Sequence, residues 1–160
     1  MLINSENGVI ELESFTTRLY KGMSLDQLEQ SDFYKEKYHS IQDVKTGYFW
    51  YYFKSIEIQG YQVSFSLCFF GDQLDIIQIN TWENGDAKDW NEWTEEKEMK
   101  VFHRNNTFLS QILDRLPTQK QKKPYPSRTF IFPWGNVWSV YDPRSAGSFM
   151  GINFNEEENK

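Results

Sequence analysis

The chain of 160 residues has one cysteine, two histidines and five prolines. Cys68 has no partner within the chain, which excludes an internal disulfide scaffold and points to a reducing, cytoplasmic compartment. One cysteine and two distant histidines, His39 and His103, do not supply the compact ligand set of a standard zinc site. Neither a metal nor a cofactor is expected. A glycine-rich phosphate loop, a G-x-S-x-G elbow and an H-E-x-x-H helix are all absent, so the common motif-borne chemistries have no foothold. Apolar runs are short. The longest, Val63 to Phe70, is interrupted by Ser64 and Ser66 and falls far below the roughly 18 residues that cross a bilayer. Asn4, Ser5, Glu6 and Asn7 stand where a secretory leader would need an apolar run. Positive charge is in deficit, 17 Lys+Arg against 23 Asp+Glu for a net −6, and a chain of that sign repels phosphate backbones. General nucleic-acid binding and membrane association are therefore not expected.

What the chain has in abundance is aromatic residues: 13 Phe, 9 Tyr and 6 Trp, 18% of the total. Its length suits one domain, 1–160, able to bury about two-thirds of the surface of its unfolded form. The clearest period is two, over Tyr61 to Phe69, where Val63, Phe65, Leu67 and Phe69 alternate with Gln62, Ser64 and Ser66. Tyr48 to Gln59 is rich in aromatic and β-branched residues, and Gln59-Gly60 suits a tight hairpin connection. After Gly71-Asp72-Gln73, the run Leu74 to Trp82 switches the parity of its apolar positions, as a bulge or burial on both faces would require. These three runs predict an antiparallel meander.

Two helices are expected around it. Ser24-Leu25-Asp26-Gln27 has capping-box spacing and opens a helix to about Lys37. A second starts near Asp89 or Thr94, carries Met99, Phe102, Leu109, Ile112, Leu113 and Leu116 at helical spacing, is weakest over His103 to Asn106, and stops at Pro117. Thr118 to Ser127 is polar and basic and reads as a solvated loop. Strand character returns over Arg128 to Trp134, Val137 to Tyr141 and Ser148 to Phe154, and the charged tail from about Asn155 is expected to fray. The predicted class is α+β: a central three-stranded meander plus C-terminal strands, with the two helices packed mainly on one face.

Glu83 to Glu98 is the segment richest in interaction chemistry. It holds seven carboxylates against Lys88 and Lys97, interleaved with Trp82, Trp90 and Trp93. Acidic groups steer a basic partner and exposed tryptophans anchor it, which nominates Trp82, Asp86, Asp89, Trp90, Glu92, Trp93, Glu95 and Glu96 as partner-binding residues. The competing assignment has the tryptophans capping a core while the acids solvate a helix start. Arg115 to Arg128 carries five cations and no acid, as a solvated linker, a phosphate grip or an internal counterweight to the acidic segment would.

The residues Trp134-Gly135-Asn136-Val137-Trp138-Ser139-Val140-Tyr141-Asp142-Pro143-Arg144 spell W-G-x-[IV]-x-S-x-x-D-x-[RK]. In this motif the chain resembles small uncharacterised bacterial proteins with such a C-terminal hairpin, some of which are immunity proteins that block a neighbour's toxin domain. The resemblance implies a non-enzymatic protein-binding module, and it brings no catalytic residues. A small-ligand carrier or enzyme with an aromatic-lined cleft on the sheet is the alternative. An oligomeric role through an exposed strand edge is a third reading.

Overall fold

The computed structural model describes residues 1–155. In chain order the elements are β1 (Leu2–Ile3), β2 (Ile10–Leu12), β3 (Thr17–Leu19), α1 (Leu25–Gln30), α2 (Asp32–Lys37), β4 (Tyr38–Asp43), β5 (Tyr48–Phe53), β6 (Ile56–Ile58), β7 (Tyr61–Phe70), β8 (Gln73–Trp82), α3 (Glu95–Leu113), β9 (Gln119–Gln121), β10 (Ser127–Phe132), β11 (Gly135–Asp142) and β12 (Gly147–Phe154). The strands form two antiparallel sheets. A small one runs β1-β2-β3, and a large one runs β4-β5-β7-β8-β12-β11-β10-β9 with β6 also paired to β7. The class is α+β, dominated by sheet.

The alternation in β7 sets the two sides of the large sheet. Val63, Phe65, Leu67 and Phe69 are buried, and their register neighbours continue the apolar face through Ile77 and Ile79 of β8 to Met150 and Ile152 of β12 and Val137 of β11. Opposite-parity positions such as Ser64, Ser66, Gln78 and Trp138 are only half-buried. The parity switch in β8 is a bulge: Cys68 pairs with Ile76 and Phe69 with Leu74, which leaves Asp75 as the extra residue.

Among the described residues there are three helices, not two. Ser24 makes the expected capping box, its hydroxyl accepting from Gln27 N at 3.1 Å while Gln27 Oε1 accepts from Ser24 N at 2.9 Å. The helix does not run on to Lys37. Ser31 sits in extended backbone, donates its hydroxyl to Leu28 O and accepts from Tyr34 N, so it closes α1 and opens α2. Phe33 of α2 stacks on Phe53 at 4.6 Å and meets Phe65 edge-on at 5.6 Å. Helix α3 begins at Glu95 with Thr94 as its cap, and Asp89 lies in a turn ahead of it. It continues unbroken through His103 to Asn106 because Asn105 is inward, its Oδ1 accepting from Thr81 N at 3.2 Å and Thr81 Oγ1 at 2.7 Å. It ends before the expected stop at Pro117: Asp114 adopts φ 48, and Leu116 lies beyond the helix, 76% exposed. The helix packs against β8, β11 and β12.

Four further departures are local. Tyr48 to Gln59 divides into β5 and β6, both paired to β7. The solvated loop contains β9, an exposed strand on β10. Strand β4 and the N-terminal sheet were not foreseen; β1 to β3 have only two or three residues each, too few for a period to show. Asn155 N donates to Trp134 O at 2.9 Å, and the rest of the tail expected to fray lies outside the described residues.

Candidate functional site

The acidic segment divides into two parts. In the first, Trp82 ends β8 and is 46% exposed, donating Nε1 to Ser55 Oγ at 2.8 Å. Asp86 is claimed by the fold. Arg104 of α3 donates to both Asp86 carboxylate oxygens, to Thr81 Oγ1 at 3.0 Å and to Thr81 O at 3.1 Å, and it pairs with Glu83 at 3.0 Å. The counterweight to the acidic segment is thus Arg104. Among the described residues, no cation of Arg115 to Arg128 forms a salt bridge.

In the second part, short-range hydrogen bonds shape a loop that presents two indoles. Asp89 Oδ1 accepts from Asn91 N at 2.8 Å and Glu92 N at 3.1 Å, and Glu92 Oε2 accepts from Lys88 N at 3.1 Å. Trp90 and Trp93 consequently stand with ring centroids 6.2 Å apart and planes tilted by 48°. Trp90 is 75% exposed, whereas Trp93 is half-buried and donates Nε1 to Ala146 O at 2.8 Å. A groove of about 330 Å³ lies between this loop and the β11–β12 turn, lined by Lys88, Asp89, Trp90, Trp93, Glu98 and Ala146. Glu98 also fixes the turn, its carboxylate accepting from Ser148 N at 2.7 Å. Glu95 and Glu96 are exposed on the first turn of α3, and Glu96 pairs with Lys100 at 3.1 Å.

Of the eight nominated residues, Asp89, Trp90, Glu92 and Trp93 form one constellation, Glu95 and Glu96 border it in sequence, and Trp82 and Asp86 belong to other contacts. Glu98 and Ala146 were missed. In the sequence Glu98 is one more acid among seven, and nothing local to Ala146 reveals that a turn 53 residues away will close over Trp93. That turn is itself held by Asp142, whose Oδ1 accepts from Arg144 N at 2.9 Å and Arg144 Nε at 3.2 Å. These bonds hold the Asp142 carboxyl below the usual range.

Cys68, 1% exposed, has its thiol pushed up to about 11, first by burial and then by the charge of Asp75. Among the described residues, no group of three His, Cys, Asp or Glu side chains is placed to hold a metal ion, and no helix is long and apolar enough to cross a membrane. No family model, curated protein or solved structure matches the chain.

Proposed function

We propose that the chain is a cytoplasmic, non-enzymatic protein-binding module, in its sharpest form a bacterial immunity protein that occludes a basic toxin domain. The observation that carries this reading is the Trp90–Trp93 pair, one ring 75% exposed, set beside Asp89 and Glu98 in a groove. Solvent-facing tryptophan beside carboxylates is the composition of an anchor with a steering field. Occlusion needs shape, charge and anchors but no chemistry from the inhibitor. The reading treats α2 and α3 as one layer over a single face of the large sheet. Support comes from the Phe33–Phe65 contact and the Asn105–Thr81 hydrogen bonds, which land on positions of the same parity.

The test is protection. The C-terminal domain of any large secreted protein encoded beside this gene is expressed under an inducible promoter, with and without the chain. Restored growth that is lost with Trp90→Ala or Trp93→Ala supports the reading. A toxic domain against which the chain gives no protection, or the lack of any such neighbouring gene, overturns it.

A further inference from the structure

The large sheet has a second face that the helices and the N-terminal sheet leave open. Its residues alternate with the core positions and are almost all half-buried, and its aromatics, among them Trp50, Tyr52, Trp138 and Phe149, lie outside the core cluster. A quarter of the chain's residues are charged, yet the outward positions of Tyr48–Tyr52, Ser64–Cys68, Ile76–Asn80, Asn136–Val140 and Phe149–Asn153 carry no charge at all. Water alone does not select such a surface in an acidic protein.

Its layout is specific. One register row reads Tyr52, Ser66, Gln78, Gly151, Trp138 across β5, β7, β8, β12 and β11. Trp138 lies over Gly151, where an added Cβ would come within 2.2 Å of the indole. Phe149 likewise leans on Gly147, where a Cβ would come within 2.5 Å of the ring. The two glycines of β12 thus let two aromatic rings lie down on the sheet. On the far side, Tyr52 is held by its hydroxyl, which donates to Gln42 Oε1 at 2.8 Å. Between these aromatic banks the floor is polar. Ser64 reaches Asn80 O at 3.4 Å, whereas the side chains of Ser66 and Gln78 have no hydrogen-bond partner among the described residues.

We propose that this open face binds a neutral oligosaccharide, stacked on Trp138 and hydrogen-bonded by Gln78 and Ser66. The C–H face of a sugar ring suits the negative face of an indole, while its hydroxyls both donate to and accept from an amide and a hydroxyl. At the strand spacing of about 4.8 Å, Gln78 is one strand from the Gly151 position under the indole, within reach of a stacked ring's hydroxyls. Tyr52 is three strands from Gly151, about 14 Å, which leaves room for a short chain of sugars. Other occupants fit worse. A phosphorylated ligand finds no cation among these outward positions, and the carboxylate beside them, Asp75 at the bulge, would repel it. A second copy of this chain would call for an apolar centre within a polar rim, and here the polar strip lies between aromatic banks. A purely apolar ligand would cover the Gln78 amide without pairing it.

The experiment titrates the full chain with cello-, xylo-, malto- and chito-hexaose, following tryptophan emission and heat. Saturable binding of at least one is expected, weakened about ten-fold or more by Gln78→Ala and by Trp138→Ala and left unchanged by Lys122→Ala on the exposed basic segment. Gln78→Ala truncates a half-exposed polar side chain and leaves the core intact, so it serves even where Trp138→Ala disturbs folding. Failure of all four sugars to bind at millimolar concentration overturns the proposal, as does binding that Gln78→Ala leaves unchanged. A concentration-dependent dimer abolished by Ser66→Arg would overturn it in favour of a second copy. The growth test above does not depend on this face, so either reading can fail alone.

Discussion

At the scale of single residues, burial and hydrogen bonding set chemical behaviour that composition leaves open. Cys68 is a packing residue. With its thiol raised to about 11, it should resist a thiol reagent at neutral pH in the native state and react at once on unfolding. Cys68→Ala should cost about 1 kcal/mol in denaturant melts and leave protection in the growth test intact. Phe65, 1% exposed and edge-on to Phe33, should cost about 3–5 kcal/mol when truncated to Ala, and a loss below about 1 kcal/mol would mean the ring is not in the core. Asp32 ties the start of α2 to Thr16 and Thr17 at the start of β3. It accepts most strongly from the Thr17 hydroxyl, and also from Thr16 N at 2.8 Å and the Thr16 hydroxyl at 2.9 Å, which together lower its pKa from 3.8 to about 2 against the cost of burial. A carboxyl held low stabilises the fold above the unfolded-chain pKa near 4 and loses that contribution as pH falls through about 2. Thermal melts of Asp32→Asn should therefore lack that part of the wild-type decline between pH 4 and pH 2.

At the scale of elements, the C-terminal hairpin depends on a close approach. Gly135 has φ 153, and a Cβ there would come within 2.1 Å of the Asn153 carbonyl oxygen, which is backbone in the neighbouring strand. Neither partner can yield without breaking the β11–β12 ladder. Gly135→Ala should destabilise by about 2–4 kcal/mol in denaturant melts, and amide exchange over β11 and β12 should accelerate more than over β7. The tryptophan-glycine pair of the hairpin motif is explained by this geometry: Trp134 stacks on Phe132 at 5.1 Å while Gly135 admits the crossing strand.

At the scale of the molecule, α3 separates charge. Its 19 residues span about 28 Å, with Glu95, Glu96 and Glu98 in the first turn and, along its C-terminal half, a groove of about 500 Å³ lined by Ser110 and Gln111 of the helix and by Asp114, Lys120 and Arg128. On the proposed reading, a basic partner would be drawn toward the Trp90–Trp93 end. Replacing Asp89, Glu92, Glu95 and Glu96 by their amides should slow association and flatten its salt dependence, with dissociation less affected. Trp90→Ala should instead speed dissociation, by an amount equivalent to about 2 kcal/mol or more at a true anchor. Stopped-flow kinetics at two salt concentrations separate the two effects. Asp86 is left out of the neutralised set because it holds Arg104 and its loss would loosen the loop.

The amino-acid sequence alone determined the elements whose signals are local and repeated. The period-two pattern of β7, the parity switch that became the Asp75 bulge and the capping box at Ser24 are all written within a few residues. The tertiary structure decided what depends on distant partners. Asn105 stays helical because it faces Thr81, where propensity alone suggests a break. Trp93 is half-buried under the β11–β12 turn, where the Ala146 carbonyl accepts a hydrogen bond from its indole N–H, and Asp86 leaves the candidate interface because Arg104 takes it. The alternation in β7 marks Val63, Phe65, Leu67 and Phe69 as the inward side, and they are buried, whereas which residues of distant strands continue that side was decided by the register with β8 and β12.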